Sequence, residues 1–247
     1  MALAAARGEL TPMPDCAIFA DTGWEPPAIY AHLDWLETQV PFPVYRVSAG
    51  NIRDDLLKAA SGSGSRYASI PFFLGDGGGM GRRQCTSEYK IKPLHKKARE
   101  VCGLAPGQRV KEPVCRMWIG ISTDEAVRMK PSQNVWCQHA WPLIDRSLSR
   151  SDCIAWWNRE YPNVALRKSS CIGCPYHSDE QWRLMRANDP ASFEDACQVD
   201  EALRDMPGYE KQKFLHRSCK PLRDVDFAAY DDQIDLFGNE CEGMCGV

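Results

Sequence analysis

Between Asp15 and Ala60 the chain switches repeatedly between two hydrophobic periods, and the punctuation between them leaves few folds open. Asp15 to Ala20 is a short apolar run bounded by Pro14 and Asp21-Thr22-Gly23, which reads as a buried strand ending in a turn. Pro26 and Pro27 then stand where a first helical turn tolerates proline, because the N–H they lack would find no helical partner there. Ile29, Leu33 and Leu36 follow at helical spacing up to Gln39, and Pro41 stops the helix. Val44 to Val47 reads as a second strand, and Asn51 caps a short helix through about Ala60. A β, α, β, α order favours parallel strands, since a helix between them provides the crossover that parallel pairing needs.

The alternation continues downstream. Lys92-Pro93-Leu94 opens another helix, Met117 to Ile121 is a strand candidate, and Ser149 starts a helix to about Glu160. Ser178 with Gln181 forms a capping box, and Asp189-Pro190 opens the next helix. Ser61-Gly62-Ser63-Gly64-Ser65 reads as a flexible connector, and Gly75 to Gly79 as a second mobile segment beside a site.

The chain of 247 residues is 44% hydrophobic, enough to bury a sizeable core. Its net charge of −3 gives no global attraction to polyanions, although Arg82-Arg83 and Lys90 to Lys97 are basic locally. Met1 to Leu10 has no basic start and no long apolar run, and no later segment reaches membrane-spanning length, so a cytoplasmic protein is expected. The 12 cysteines, without a secretion signal, then read as reduced thiols or metal ligands. Trp118, Trp136, Trp141, Trp156, Trp157 and Trp182 read as core residues rather than base-stacking platforms.

Cys171-Ile172-Gly173-Cys174 places two thiols where they can reach one metal or cluster, or each other. It supplies half of a four-ligand site. Cys85 is isolated, and Arg82, Arg83, Lys90 and Lys92 flank it, a pattern suited to an anion or to a solvated basic face.

Taken in order, these motifs resemble the phosphoadenosine phosphosulfate (PAPS) reductase family. The resemblance rests on Ala20-Asp21-Thr22-Gly23 before a helix, and on Cys85-Thr86 with Tyr89-Lys90-Ile91-Lys92-Pro93-Leu94. Trp118-Ile119-Gly120-Ile121 with Asp124-Glu125 and Arg128, then Pro142-Leu143-Ile144-Asp145, then the CxxC pair, complete it over roughly Asp15 to Pro175. It implies a Rossmann-like (HUP-type) parallel sheet with helices on both faces over residues 1–176, followed by a mostly helical extension over 177–247. It further implies an adenine nucleotide, ATP or PAPS, at the carboxyl ends of the strands, contacted by Asp21, Thr22, Gly23, Arg82, Arg83, Lys90, Lys92, Asp124 and Arg128.

Sulfur-handling relatives in the same adenine-nucleotide superfamily imply a [4Fe–4S] cluster on Cys85, Cys171 and Cys174, with structural zinc or unliganded thiols as alternatives. Cys245 is assigned as the fourth ligand, with Cys241 and Cys219 competing for that place. Glu240-Cys241 with Gly243 is similar to the family's terminal Glu-Cys-Gly segment, which implies a catalytic thiol at Cys241, although Glu242 is inserted. The implied partners are a sulfonucleotide with a thioredoxin-like reductant, or tRNA or DNA receiving sulfur. A non-catalytic nucleotide- or nucleic-acid-binding relic is the third reading. The family's SGGxDS phosphate loop has no counterpart here. Met1 to Leu10 corresponds to the end of the helix that follows that loop, so the loop is expected either upstream of Met1 or lost.

Overall fold

The two strands expected near the start of the chain pair directly and in parallel, β1 (Ala17–Asp21) with β2 (Val44–Ser48), in register from Ala17 opposite Val44 to Asp21 opposite Ser48. The computed structural model describes residues 1–61, 70–207 and 210–228. A short helix, α1 (Ala2–Ala6), precedes β1. Between the strands runs α2 (Pro27–Gln39), with proline in its first turn and Ile29 and Leu33 on its buried face. After β2 comes α3 (Ile52–Ala60), capped as expected by Asn51, whose side chain accepts the backbone N–H groups of Arg53 and Asp54.

The Gly-rich stretch corrects the sequence expectation. Gly75 to Gly79 forms the tight turn of a small hairpin, β3 (Phe73–Leu74) and β4 (Gly79–Met80). Its backbone takes positive φ at Asp76, Gly77 and Gly79, a conformation that glycine adopts without a Cβ penalty. A strand that the sequence reading did not anticipate, β7 (Lys213–Phe214), pairs antiparallel with β3 on its other side. The connector call at Ser61 to Ser65 lies, from residue 62 on, outside the described residues.

Thr86–Ile91 forms a π-turn that runs straight into α4 (Lys92–Val101). The strand expected at Met117 to Ile121 lies earlier, as β5 (Cys115–Trp118), parallel to β6 (Cys137–Ala140). One further ladder bond, from Ile119 N to Ala140 O, ends the pairing, and Ile121 N then turns back to Ile119 O. Thr123–Arg128 is a 3₁₀ segment, followed after β6 by α5 (Pro142–Asp145). Next come α6 (Arg150–Glu160), α7 (Asp179–Asn188) and α8 (Pro190–Leu203), the first two started by capping boxes at Ser149 and Ser178. The chain is therefore α/β, with parallel pairing in two small sheets, β1-β2 and β5-β6, that are not hydrogen-bonded to each other among the described residues. No described helix is long and apolar enough to cross a membrane.

The largest apolar cluster joins Trp24, Ile52, Leu56 and Phe72 to Trp182, Phe193, Leu215 and Phe227, so residues on both sides of position 176 share one core. Asp200 ties the last described segment to α8. It is fully buried, and its carboxylate accepts the N–H of Leu215 at 2.7 Å, the N–H of Leu222 at 3.0 Å and the Arg204 guanidinium at 2.5 Å. Burial pushes its pKa up, and those three donors oppose the shift. Asp200→Ala strands two backbone N–H groups and a cation, so urea unfolding should show a loss of about 3–5 kcal/mol, with Asp200→Asn losing less.

Candidate functional site

The turn after β1 is assembled by short-range bonds that leave one side chain pointing at the chemistry. Asp21 Oδ1 accepts the Gly23 N–H at 2.7 Å and the Tyr30 hydroxyl at 2.8 Å, so this carboxylate shapes the turn. Gly23 has φ +73, and a Cβ there would lie 3.0 Å from the Asn51 Cα. Asn51 Nδ2 donates to the Gly23 carbonyl at 3.0 Å, and Ile52 N donates to the Thr22 carbonyl at 2.9 Å. The residue that caps α3 thus also holds the turn. Thr22 is fully buried, with its Oγ1 3.1 Å from the Sγ of Cys171.

The CxxC loop lies against Trp24. Ile172 N donates to the Trp24 carbonyl at 2.8 Å, and a Cβ on Gly173 would collide with the indole, approaching its Cζ3 to 2.7 Å. Cys174 N bonds back to Cys171 O at 3.0 Å, and His177 Nε2 donates to the same carbonyl at 3.0 Å. Burial pushes the His177 pKa down to about 4, so the ring is neutral and carries its proton on Nε2. Its other support is an edge contact to the fully buried Trp182, with centroids 4.7 Å apart.

Cys85 begins the π-turn. Arg83 next to it donates to Thr86 Oγ1 at 2.7 Å and lies over the Tyr176 ring at 5.3 Å from its centroid. Tyr89, buried, donates its hydroxyl to Asp55 of α3 at 2.5 Å and so fixes the turn against the core.

These segments enclose a cavity of about 350 Å³. Thr22, Cys85, Cys171 and Cys174 line it, together with Arg83, Lys90, Arg128 and Lys168. Burial pushes the Cys171 thiol up to about 12, reinforced by the neighbouring Glu25 and opposed by Lys90. Cys174 is raised by burial as well, with Lys90 and Arg83 pulling the other way. Glu25, 3% exposed, accepts from Ser169 at 3.1 Å through Oε2 while its buried Oε1 has no hydrogen-bond partner, and burial raises its pKa. In the absence of a bound cation the site therefore favours neutral thiols.

The predicted site residues divide clearly. Thr22, Arg83, Lys90, Arg128, Cys85, Cys171 and Cys174 share the cavity wall. Asp21 and Gly23 build the turn beside it, with their polar groups taken up in the bonds just described. Arg82 and Lys92 are exposed and do not line the cavity, and Lys92 pairs with Glu88 at 2.5 Å. Asp124 accepts the first backbone N–H of α6, from Arg150, at 2.5 Å, which spends it on helix capping. Cys241 and Cys245 lie outside the described residues. Sequence reasoning missed Trp24, Glu25, Lys168 and His177. Only His177, three residues past the CxxC pair, carried a local signal.

Compared with known protein families, curated proteins and solved structures, the chain matches none. Among the described residues no three His, Cys, Asp or Glu side chains stand close enough to enclose a single metal ion.

Gly173→Ala tests the packing of the CxxC loop on Trp24. The added methyl should cost about 1–3 kcal/mol in chemical denaturation. It should also speed the reaction of Cys171 and Cys174 with a thiol reagent, whereas the neighbouring exchange Ile172→Val should leave that rate near wild type.

Proposed function

We propose that the chain is a PAPS reductase-like enzyme of sulfur metabolism, built on a Rossmann-like sheet and handling an anionic adenine nucleotide beside a thiol cluster. One observation carries this reading. Three cysteines from two distant segments and four cations, Arg83, Lys90, Arg128 and Lys168, line one cavity at the carboxyl end of β1, the end of a parallel strand where ligands of α/β proteins bind.

The donor set fits a [4Fe–4S] group in part. Cys85, Cys171 and Cys174 would supply three thiolates, and a fourth would come from Cys245 or Cys241. Three thiols around one cavity leave room between them for a group of several metal atoms. When bound, such a cluster supplies an electron-transfer couple or a docking point for sulfur. Arg83 and Lys90 offset the negative charge that thiolates bring into a buried site. Thr22 Oγ1 can donate to Cys171 in its thiolate form, and the loop bonds from Ile172, Cys174 and His177 hold the pair in place.

Arg83, Lys90, Arg128 and Lys168 are the residues that would bind phosphate or sulfate oxygens. In the reductase reading the Cys241 thiolate attacks the sulfonyl sulfur of a sulfonucleotide. An S–S bond forms, the S–O bond to the nucleotide breaks, and the nucleotide phosphate leaves with the bonding electron pair. A second thiol, from a thioredoxin-like partner, then attacks the Cys241 sulfur. Sulfite leaves, and the two thiols end as a disulfide.

A second reading, sulfur transfer to tRNA or DNA, is favoured by a neighbouring cavity of about 1850 Å³ that shares Lys168 with the first and is lined by Arg146, Arg150 and Arg167. Its size admits a ligand larger than one nucleotide, and its cations share the wall with Glu9, Glu125, Asp152, Asp179 and Glu180, so a polyanion would seat on the Arg167–Lys168 side.

Anaerobic reconstitution with iron and sulfide should give a brown protein with about four irons per chain, and Cys171→Ser or Cys85→Ser should abolish the colour. A colourless protein that retains zinc would overturn the cluster assignment. Arg83→Ala should weaken adenine-nucleotide binding at least about tenfold by calorimetry, the loss expected for one charge-assisted contact. Sulfite release from PAPS dependent on Cys241 would select the reductase reading, and thionucleosides in nucleic acid from expressing cells would select the other.

A further inference from the structure

A second set of cysteines gathers at the opposite ends of the strands from the cavity. Cys16 stands immediately before β1, Cys115 and Cys137 are the first residues of β5 and β6, and Cys102 directly follows α4. Cys115 and Cys137 are register partners across the parallel pair. Adjacent strands lie about 4.8 Å apart, inside the Cα separation of about 4.4–6.8 Å that a disulfide accepts, and register partners project from the same face of a sheet.

The contacts between the thiols agree with that register. Cys115 is close enough to perturb the ionisation of both Cys137 and Cys102, and Cys16 is close enough to interact electrostatically with Cys102 and Cys115. All four are free thiols. Cys137 is 3% exposed, while Cys16, Cys102 and Cys115 are half-buried, so the pair joins one reachable sulfur to one protected sulfur. Trp136 and Ala98 pack beside them and hold the strand starts in place.

We infer that Cys115 and Cys137 form an oxidisable dithiol, converted to a disulfide by exchange with a low-molecular-weight disulfide of the glutathione type. In the first step the half-buried Cys115 sulfur attacks the small disulfide RSSR. A Cys115–S–SR bond forms, the S–S bond of RSSR breaks, and the departing thiolate takes the proton of Cys115. In the second step the Cys137 sulfur attacks Cys115 Sγ, the second RS⁻ leaves, and it takes the proton of Cys137. The protein loses two electrons, and one RSSR becomes two RSH.

This dithiol is separate from the cavity cysteines. The whole of β1 lies between Cys16 and Thr22, a rise of about 16 Å for five residues, so sulfur does not pass directly from one set to the other. The bridge would instead close the chain between β5 and β6, the stretch that carries Arg128 to the cavity wall.

The intact chain should be equilibrated with oxidised glutathione, acid-quenched, alkylated and mapped by peptide mass spectrometry. The expected result is a cross-linked Cys115–Cys137 peptide with loss of two alkylatable thiols. Cys137→Ser should retain glutathione on Cys115 because the resolving sulfur is gone, and if that variant does not fold, the wild-type map decides alone. Full alkylation of both residues, while a separate tube of the same oxidised glutathione without protein oxidises dithiothreitol, would overturn the inference. So would a bridge from Cys102 to Cys115 in place of the one to Cys137. None of these outcomes depends on a cluster or nucleotide in the cavity.

Discussion

The arrangement around the cavity depends on how one indole is held. Trp24 is 3% exposed, and a buried indole N–H needs an acceptor. It finds Asp195 of α8 at 2.6 Å, and the other oxygen of that carboxylate takes Arg53 of α3 at 2.7 Å. The backbone of Trp24 receives Ile172, and its ring occupies the space that a Gly173 side chain would need. A single residue therefore sets the distances among the end of β1, the start of α3, the CxxC loop and α8. Three thiols brought from two sequence regions can share a cavity because these four pieces cannot shift independently.

Within that frame, desolvation and charge oppose each other. Burial favours the neutral form of Cys171 and Cys174, and Glu25 adds to the penalty on a Cys171 thiolate. Lys90 and Arg83 pull toward the ionised form. The balance leaves protonated thiols in the free protein and gives any bound cationic group strong leverage over their charge. A buried carboxyl with one oxygen unpartnered next to such thiols belongs to the same logic. It costs little while neutral and responds to whatever enters beside it.

What the sequence disclosed was local physics. Asn51, Ser149, Ser178 and Asp189 were legible as helix starts because a capping side chain bonds to N–H groups within three residues of itself. Prolines 27, 93 and 190 marked first turns for the same reason. The two-residue strands β3, β4 and β7 carry too few positions for a period to register, and Gly75 to Gly79 consequently read as a mobile segment when it is the turn of a hairpin. At the site, the CxxC pair and Cys85 were visible as chemistry. Trp24 and Asp195 were not, since they lie far apart in the chain and neither has a local signature. Asp124 and Lys92 had suitable charges near suitable motifs, yet one caps a helix and the other pairs with Glu88. Charge type was readable, but its use depends on long-range packing.

The π-turn at Thr86–Ile91 sets a phase relation along the helix it begins. In an α-helix, residues five apart are about 140° out of phase around the axis. The i to i+5 bonding of a π-turn instead stacks such residues one above the other. Cys85 and Lys90 are separated by that interval and both line the cavity. The wider turn acts as a one-residue insertion that keeps thiol and ammonium on one side while α4 continues in its own phase. Sequence length here functions as a geometric coordinate: relaxing the turn to a regular helix at unchanged length would swing the Lys90 ammonium about 140° from the Cys85 sulfur, whereas deleting one residue between them would leave the pair four apart on one ordinary helix face.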